Sequence, residues 1–254
     1  MSHALHTLVR DLRLRRGRER RGLALAEGIR LVEEALAAGI TIRHVLASSA
    51  LEATSRGRAL KTALASAGHA IEDTALLEFD TLADTEHSQG VLAVIEPRRW
   101  TLEEVKPSQR SPVLVLDGVQ DPGNVGTMIR TAWALGAAGV LALPGTAELT
   151  NPKTLRATMG GAFSLPYVTL DEAQLMHWAR ALEVRVVLAA PGAELAPALR
   201  AQTTAVVVGN EGAGIRPSFA AWADGKIGIP LRVGAESLNV GVAAGILLYE
   251  LTRE

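Results

Sequence analysis

Five short apolar runs, separated by segments of helical pattern, constrain most strongly what the second half of this chain can fold into. The runs are four to six residues long and rich in valine, leucine and isoleucine, which is typical of strands buried on both faces. They lie at 113–116, 140–143, 184–189, 205–208 and 227–231. Because strands that alternate with helices form parallel sheets covered on both sides, this pattern predicts an α/β fold. Ligands of such sheets bind beyond the carboxyl ends of the strands, so the loops that follow the runs are candidate functional loops.

The first third of the chain carries a second, smaller α/β pattern. Its predicted helices are 23–38 and 51–67, and its predicted strands are 42–46 and 91–95. Residues 97–112 contain three prolines among charged side chains, a composition typical of a connector. We therefore predict two domains, 1–96 and 113–254, joined by a linker over 97–112.

Several classes of site are excluded by composition. The chain has no cysteine, which excludes disulfides, thiolate metal sites and cysteine nucleophiles and favours a reducing cytoplasm. Among the six histidines only His3 and His6 lie close together, so no metal site is expected. The longest apolar stretch, 238–251, is interrupted by Asn239 and Glu250 and falls short of the roughly 20 residues of a membrane span. No membrane partner is expected.

Positive charge is concentrated at the start of the chain. Residues 1–30 contain eight arginines and three carboxylates, a local charge of +5 that leaves −6 on the remainder. Such arginines can neutralise phosphates and release counterions, although a charge run alone is more often a solvated helix face. The candidate nucleic-acid contacts are Arg10, Arg13, Arg15, Arg16, Arg18, Arg20 and Arg21.

The first candidate loop, 117–130, is a glycine-rich turn that leads into a helix. Asn124 is the expected N-cap of that helix. Arg130 shares a helix face with Gly126, and helical side chains lean toward the N-terminus, so its guanidinium can reach over the glycine toward the loop. The alternative is an ordinary cap and an exposed surface arginine.

The second and third loops, 208–214 and 229–240, follow later strands. The second places Glu211 among three glycines and matches neither a Walker A motif nor a dinucleotide fingerprint. In the third, Ser237 precedes an apolar helix and could simply cap it. Each loop alone could be an ordinary turn.

Taken in order, the loops resemble the signature motifs of the SpoU (TrmH) family, the RNA 2′-O-ribose methyltransferases of the SPOUT class. The resemblance runs from about residue 110 to the end of the chain. Its motif residues are Asn124, Gly126 and Arg130; Gly209, Glu211 and Gly212; Ile229 and Pro230; 236–240; and, more loosely, 156–160. Two positions depart from the family pattern, since Thr158 and Gly241 stand where serine is common.

The resemblance implies a parallel-sheet SPOUT domain with a deep trefoil knot that binds S-adenosylmethionine as methyl donor and needs no metal. The implied cofactor-binding residues are Gly209, Gly212, Ile229, Leu231 and Leu238. The implied catalytic or orienting residues are Arg130, Asn124, Glu211, Ser237 and Asn239. The family assigns the general base to the arginine matched by Arg130. Because a guanidinium is effectively always protonated, a second role, anchoring phosphate and stabilising alkoxide charge, stays open.

The N-terminal part resembles the substrate-binding domain of the longer family members, an α/β domain with the fold of ribosomal protein L30e. Its cues are Glu27 with Gly28 and the segment 84–91, which includes Glu86. The likeness makes structured RNA the expected partner and adds Arg156 to the RNA-binding candidates. We therefore expect 2′-O-methylation of RNA, ribosomal RNA favoured over transfer RNA, by a homodimer. A non-catalytic RNA-binding protein of this fold and a SPOUT base methyltransferase remain alternatives.

Overall fold

The computed structural model describes residues 3–85, 87–195 and 197–253. The ends of the predicted domains, Met1 and Glu254, and the cue residue Glu86 lie outside these residues. The chain divides into two compact units. The first contains the described residues up to Arg99 together with Thr150–Phe163, and the second contains Trp100–Leu149 and the described residues from Ser164 onwards. None of the helices in the described ranges is long and apolar enough to cross a membrane.

Helices and strands alternate along most of the described chain. The helices are α1 His3–Arg13, α2 Arg15–Arg21, α3 Ile29–Ala37, α4 Ser55–Ser66, α5 Leu76–Leu82, α6 Pro122–Ala134, α7 Pro152–Thr158, α8 Glu172–Ala181 and α9 Val240–Thr252. The strands are β1 Ala24–Glu27, β2 Ile42–Ala47, β3 Ile71–Asp73, β4 Val91–Ile95, β5 Val113–Asp117, β6 Gly139–Ala142, β7 Tyr167–Thr169, β8 Arg185–Ala189, β9 Thr204–Gly209 and β10 Gly225–Ile227.

The first unit is built on a four-stranded mixed sheet in the order β1-β4-β2-β3. Strand β4 pairs antiparallel with both β1 and β2, whereas β2 and β3 are parallel. Apolar residues of α1 and α5 form a core with the sheet, and its largest members include Leu12, Leu46, Phe79 and Leu92. The predicted α/β character of this region is confirmed.

One helix prediction in this unit is wrong at its start. Residues 24–27 form β1 instead of the first turn of the predicted helix 23–38, and α3 begins only at Ile29. All four β1 residues are buried and pair with β4, so tertiary pairing overrides their helical propensity. Gly28 makes the turn between the two elements with a φ of 100°, which a side chain would strain.

The segment Thr150–Phe163 packs with the first unit, although it follows β6 in the chain. Arg156 in α7 donates to Asp84 at 2.6 Å, and its Nη1 lies 3.5 Å from the carboxylate of Glu27. A Cβ on Gly160 would lie 2.6 Å from Cγ of Glu34, so the chain approaches α3 as closely as only glycine allows. The division into two folding domains with a linker stays a prediction.

The second unit contains a six-stranded sheet in the order β10-β8-β9-β5-β6-β7, and all its paired strands are parallel. Alternate residues of β5 enter different cores: Leu114 and Leu116 join the cluster containing α6 and α9, while Val113 and Val115 join the one containing α8. This two-sided burial confirms the predicted parallel α/β sheet. The trefoil knot implied by the family resemblance stays a prediction.

The last predicted strand is also corrected. Strand β10 covers Gly225–Ile227, and the remainder of the predicted run 227–231 is loop. Gly228 and Pro230 explain the early end, because proline has no amide to donate and the Gly228 backbone turns against the Ala193 carbonyl. Moving the chain out of the sheet here frees Ile229 and Leu231 to line a cavity.

Candidate active site

A cavity of about 490 Å³ lies in the second unit where β8, β9 and β10 end. Eight of the predicted site residues line it: Gly209, Glu211, Gly212, Ile229, Leu231, Ser237, Leu238 and Asn239. The second and third motifs therefore meet at the carboxyl ends of neighbouring strands, as expected for a parallel sheet. The roles assigned to these residues stay predictions.

The loop after β8, which no sequence motif marks, also contributes to the cavity. Ala189, Ala190 and Pro191 also line the cavity. These residues carry no charge or hydrogen-bonding side chain, so no chemical signal marks them. The position of the run 184–189 beside β9 and β10 in the sheet is the feature that brings them to the site.

Gly209 lets the second loop turn back on itself directly after β9. A Cβ at this position would lie 2.3 Å from the carbonyl carbon of Gly214 and 2.4 Å from the amide nitrogen of Ile215. Asn210 closes the turn through paired backbone hydrogen bonds with Gly214 of 3.0 and 2.9 Å. Its side-chain oxygen accepts from the Gly212 amide at 2.9 Å, so the polypeptide backbone forms this wall of the cavity.

Glu211 connects the second loop to the first. Its carboxylate accepts hydrogen bonds from Nδ2 of Asn124 at 3.1 Å and from the amides of Gln120 and Asp121 at 3.3 and 3.4 Å. Burial raises the pKa of Glu211, but these hydrogen bonds stabilise the carboxylate more strongly and leave the pKa below its ordinary value. Glu211 is therefore a fixed negative charge at neutral pH.

Asn124 does not cap α6, contrary to the sequence prediction. The N-cap is Asp121, whose side chain accepts from the Asn124 amide at 2.7 Å, and Pro122 occupies the first turn. The Asn124 side chain is thereby free to link two loops: Nδ2 donates to Glu211, and Oδ1 accepts from Nδ2 of Asn239 at 3.1 Å. All three motifs are thus joined by one chain of side-chain hydrogen bonds.

Asn239 also caps the last helix. Its side-chain oxygen accepts from the amides of Gly241 and Val242 at 2.9 and 3.2 Å. Ser237, which the sequence suggested as a possible cap, instead lies in the cavity lining together with Leu238. Capping by Asn239 sets where α9 begins and so fixes the third loop relative to the first.

Two of the predicted catalytic residues, Asn124 and Arg130, are not among the residues that line the cavity; Asn124 is hydrogen-bonded to two residues that do, whereas Arg130 stands apart. It is exposed on α6, six residues after Asn124, or about 9 Å along the helix axis. It does not line the cavity, and no hydrogen bond joins it to another described residue. Its guanidinium is therefore available to a bound molecule.

The N-terminal arginines differ in how they are used. Arg18 is only 4% exposed and donates to the carbonyls of Leu12 and Arg13 at 3.0 and 2.8 Å. The prediction that Arg18 binds nucleic acid is therefore corrected, because its guanidinium joins α2 to the end of α1 and is buried. Arg13 similarly donates to the carbonyl of Ala83.

The exposed arginines of α2 are better placed to contact a ligand. Arg20 and Arg21 share the carboxylate of Asp11, and the hydrogen bond from Arg21 is the main cause of the lowered pKa of that carboxyl. Arg15 pairs with Glu19 at 2.7 Å. Arg16 is exposed and forms no ion pair with the described residues. The exposed ion pairs of Arg15, Arg20 and Arg21 contribute little to stability, so these side chains can exchange their carboxylate partners for a phosphate.

No group of three or more metal-ligating side chains occurs in the part of the chain that the structure describes. The cavity itself combines an apolar wall, with Ile227, Ile229, Leu231 and Leu238 among its residues, and the carboxylate of Glu211. That combination suits a ligand with a flat apolar ring system and a positive charge.

Two family models match the chain. The model of the SpoU rRNA methylase family matches residues 111–249, and that of the MRM3-like substrate binding domain matches residues 8–93. Among curated proteins, the chain is 35% identical to the 23S rRNA (guanosine(2553)-2′-O)-methyltransferase RlmP of Bacillus subtilis, with 95% of this chain and 93% of that protein aligned. It is 29% identical to the 23S rRNA (uridine(2479)-2′-O)-methyltransferase of Streptomyces viridochromogenes, over 94% and 86% of the two chains.

Solved structures that resemble this chain belong to the same kind of enzyme as these relatives. An rRNA methyltransferase from Sinorhizobium meliloti with bound S-adenosylmethionine matches with a TM-score of 0.85 at 28% identity, covering 98% of this chain and 94% of that one. The SpoU methyltransferase AviRb from Streptomyces viridochromogenes, also in complex with S-adenosylmethionine, matches with a TM-score of 0.85 at 26% identity, over 99% and 97%. With a family model covering more than half of its length and motifs that meet at one cavity, the chain belongs to the SpoU rRNA methylase family.

Proposed function

We propose that this protein transfers a methyl group from S-adenosylmethionine to a ribose 2′-hydroxyl of ribosomal RNA. The observation that carries the proposal is the hydrogen-bonded chain Glu211–Asn124–Asn239, which joins the three motifs beside the cavity. The relatives at 35% and 29% identity are named as 23S rRNA 2′-O-methyltransferases, and they support ribosomal RNA over transfer RNA as substrate.

The cavity residues fit S-adenosylmethionine. Ile229, Leu231 and Leu238 provide apolar surface for an adenine ring, and the loop that follows Gly209 lines the same cavity. Glu211 supplies a negative charge for a cationic ligand. When bound, the cofactor supplies an electrophilic methyl group on sulfonium, which needs no metal to react.

The residues of the chain then have two tasks, orientation and charge control. Asn124, held between Glu211 and Asn239, can orient the ribose or Arg130, and in-line positioning of a nucleophile is worth several kcal/mol in well-oriented reactions. Arg130 either accepts the hydroxyl proton or stabilises the developing alkoxide and the adjacent phosphate. The first role requires strong desolvation of a group that is exposed here, so the observed exposure favours the second.

RNA binding is assigned to the first unit, where the substrate-binding model matches residues 8–93. The contacts to phosphate come from Arg15, Arg16, Arg20 and Arg21, while Arg13 and Arg18 serve the fold. Arg156 has a dual assignment, because it already pairs with Asp84 and is partly exposed. The cytoplasmic location remains a prediction from the cysteine-free sequence.

A homodimer is part of the proposal. Helices α6 and α9 pack against each other and leave three large apolar side chains exposed: Trp133 at 39%, Val242 at 52% and Tyr249 at 53%. A second copy of the chain is the occupant that the family resemblance implies. Burying such side chains on self-association removes apolar area from water, which is the main driving force of stable dimers.

Replacing Arg16 by alanine is expected to weaken RNA binding and to reduce the slope of log affinity against log salt by about 1, because one phosphate contact is lost. Fluorescence anisotropy with an rRNA fragment at several salt concentrations measures this slope. The matched control is Arg43→Ala, which removes an exposed arginine of the same unit that pairs with Glu96. Equal slopes for both variants would exclude a phosphate contact by Arg16.

The experiment that tests the proposed function is methyl transfer from labelled S-adenosylmethionine to ribosomal and transfer RNA that lack the modification. Ribose methylation protects the neighbouring phosphodiester from alkali, because the 2′-oxygen can no longer attack the phosphate. The expected result is label in an alkali-resistant dinucleotide of ribosomal RNA. Label on a base would indicate a base methyltransferase, and absence of cofactor binding by calorimetry would indicate a non-catalytic RNA-binding protein.

A further inference from the structure

A partly buried ion pair lies directly after the cavity-lining loop, and no step of the proposed reaction uses it. Asp117, the last residue of β5, is 3% exposed. Its Oδ2 accepts from the backbone amide of Arg216 at 2.7 Å, and its Oδ1 accepts from Nε of Arg216 at 2.6 Å. A single carboxylate therefore fixes both the main chain and the side chain of one residue.

Arg216 is held from a third direction as well. Its Nη2 donates to the carbonyl of Pro144, in the loop that follows β6, at 3.2 Å. Arginine suits this position because its planar fork presents several donors in fixed directions, which a lysine ammonium does not. The pair thus connects the ends of β5 and β6 with the loop after β9.

The ion pair completes the attachment of the cavity wall to β5. At its start, the loop 209–215 is tied by Nδ2 of Asn210, which donates to the carbonyl of Gly118 at 2.9 Å. At its end it is tied by Arg216 to Asp117. Between these two points, Glu211 accepts from the amides that follow Gly118. The attachments of this loop therefore lead to β5, to the turn that follows it and, through Asn124, to α6.

We propose that Asp117 and Arg216 are positioning residues for the methyl donor. Neither lines the cavity; they act by holding the loop 209–215 where its backbone meets the cofactor and where Glu211 reaches Asn124. The inference rests on the proposed function, since it requires that the cavity binds S-adenosylmethionine. A well-packed apolar pair could replace a buried ion pair without loss of stability, so the specific geometry is what this pair adds.

The test compares Asp117→Asn/Arg216→Met with a matched double variant, Glu250→Gln/Arg200→Met. The control removes a pair in the same unit with similar partial burial of its arginine, 28% exposed against 32% for Arg216, at an N–O distance of 2.7 Å. Neither Glu250 nor Arg200 lines the cavity. Asn at position 117 can still accept from the Arg216 backbone amide, so the first variant removes the charge pair and keeps the main-chain bond.

Both double variants are expected to lower the thermal midpoint, and only the Asp117/Arg216 variant is expected to weaken cofactor binding. Calorimetry should give a dissociation constant for S-adenosylmethionine raised about 10- to 100-fold, as expected for misplacing a binding wall by about 1 Å. The KM for the cofactor should rise in parallel, with kcat at saturation changed less than about threefold, because uniform binding is lost.

Equal cofactor affinity in the two double variants, at comparable thermal midpoints, would overturn the positioning role. If Arg216→Met proves insoluble, Arg216→Lys serves the same comparison, because it keeps the charge and loses the fork. The two proposals fail separately. If the wild-type protein binds no S-adenosylmethionine, the proposed function is contradicted. If the wild type binds it and the Asp117/Arg216 double variant binds it with the same affinity, only the positioning role is contradicted.

Discussion

Replacing Arg130 by alanine is expected to reduce methyl transfer by about 10²- to 10⁴-fold, the range that a proton-transfer or charge-stabilising group contributes. The affinity for S-adenosylmethionine should stay close to that of the wild type, because Arg130 does not line the cavity. Stability should also be retained, since the side chain is exposed and hydrogen-bonded to no described residue. Single-turnover methylation and calorimetric titration measure the two effects separately.

The matched control for Arg130 is Arg180→Ala. Arg180 is an exposed arginine on α8, in the same unit, and it has no part in the cavity. The Arg180→Ala variant should methylate RNA at the wild-type rate. Unchanged turnover in Arg130→Ala would refute its catalytic role.

Arg130→Lys distinguishes the two possible roles of the arginine. An ammonium keeps the positive charge that stabilises an alkoxide or anchors a phosphate, so an electrostatic role predicts partial activity with little dependence on pH near neutrality. If the residue acts as a general base, the lysine variant would instead gain activity as the pH rises toward the ordinary pKa of a lysine side chain, about 10.4. The pH–rate profile of this variant therefore decides between them.

Gly209→Ala is expected to weaken cofactor binding, with an S-adenosylmethionine dissociation constant raised about 100-fold. The added Cβ would lie 2.3 and 2.4 Å from backbone atoms of Gly214 and Ile215, which cannot move aside as a side chain would. Relief requires opening the backbone pair between Asn210 and Gly214 and so displacing the wall that carries Glu211. Overpacking of this kind costs about 1–3 kcal/mol of stability.

Gly225→Ala is the control for this change. Gly225 lies in β10 of the same sheet, and a Cβ there would meet no heavy atom within 4 Å. Its stability should stay within about 0.5 kcal/mol of the wild type, as for most exposed substitutions. Thermal unfolding and calorimetry of both variants check the comparison. Intact cofactor binding in Gly209→Ala would show that the loop 209–215 is not a binding wall.

Much of the fold and the cavity could be predicted from local patterns. The runs 113–116 and 205–208 lie within parallel strands, as predicted. They were identifiable because a strand buried on both faces requires aliphatic side chains whatever its position in the sheet. Gly209 and Glu211 were also identifiable, since a carboxylate among glycines after an apolar run has no packing explanation. These patterns are local, so they can be identified in the sequence without knowing which distant residues they contact.

Other assignments depend on which residues meet across the fold. Asn124 looks like a helix cap in the sequence, yet its side chain bonds to Glu211, 87 residues away, and Asp121 takes the cap. Arg18 looks like its exposed neighbours in α2 but is buried and hydrogen-bonded to carbonyls at the end of α1. A residue's type indicates that it seeks a partner, and only the packing of its surroundings decides whether that partner is a carbonyl, a carboxylate or a bound molecule.

By itself, the sequence determined the class of fold, two of the loops that line the cavity and the motifs that resemble the family, because periodicity and residue type are properties of short segments. The tertiary structure alone decided that β8 lies beside β9 and adds Pro191 to the cavity, and that Asp117 meets Arg216 across 99 residues. The physical reason is that strand order and buried polar pairing result from the packing of the whole unit. No local stretch of chain specifies them.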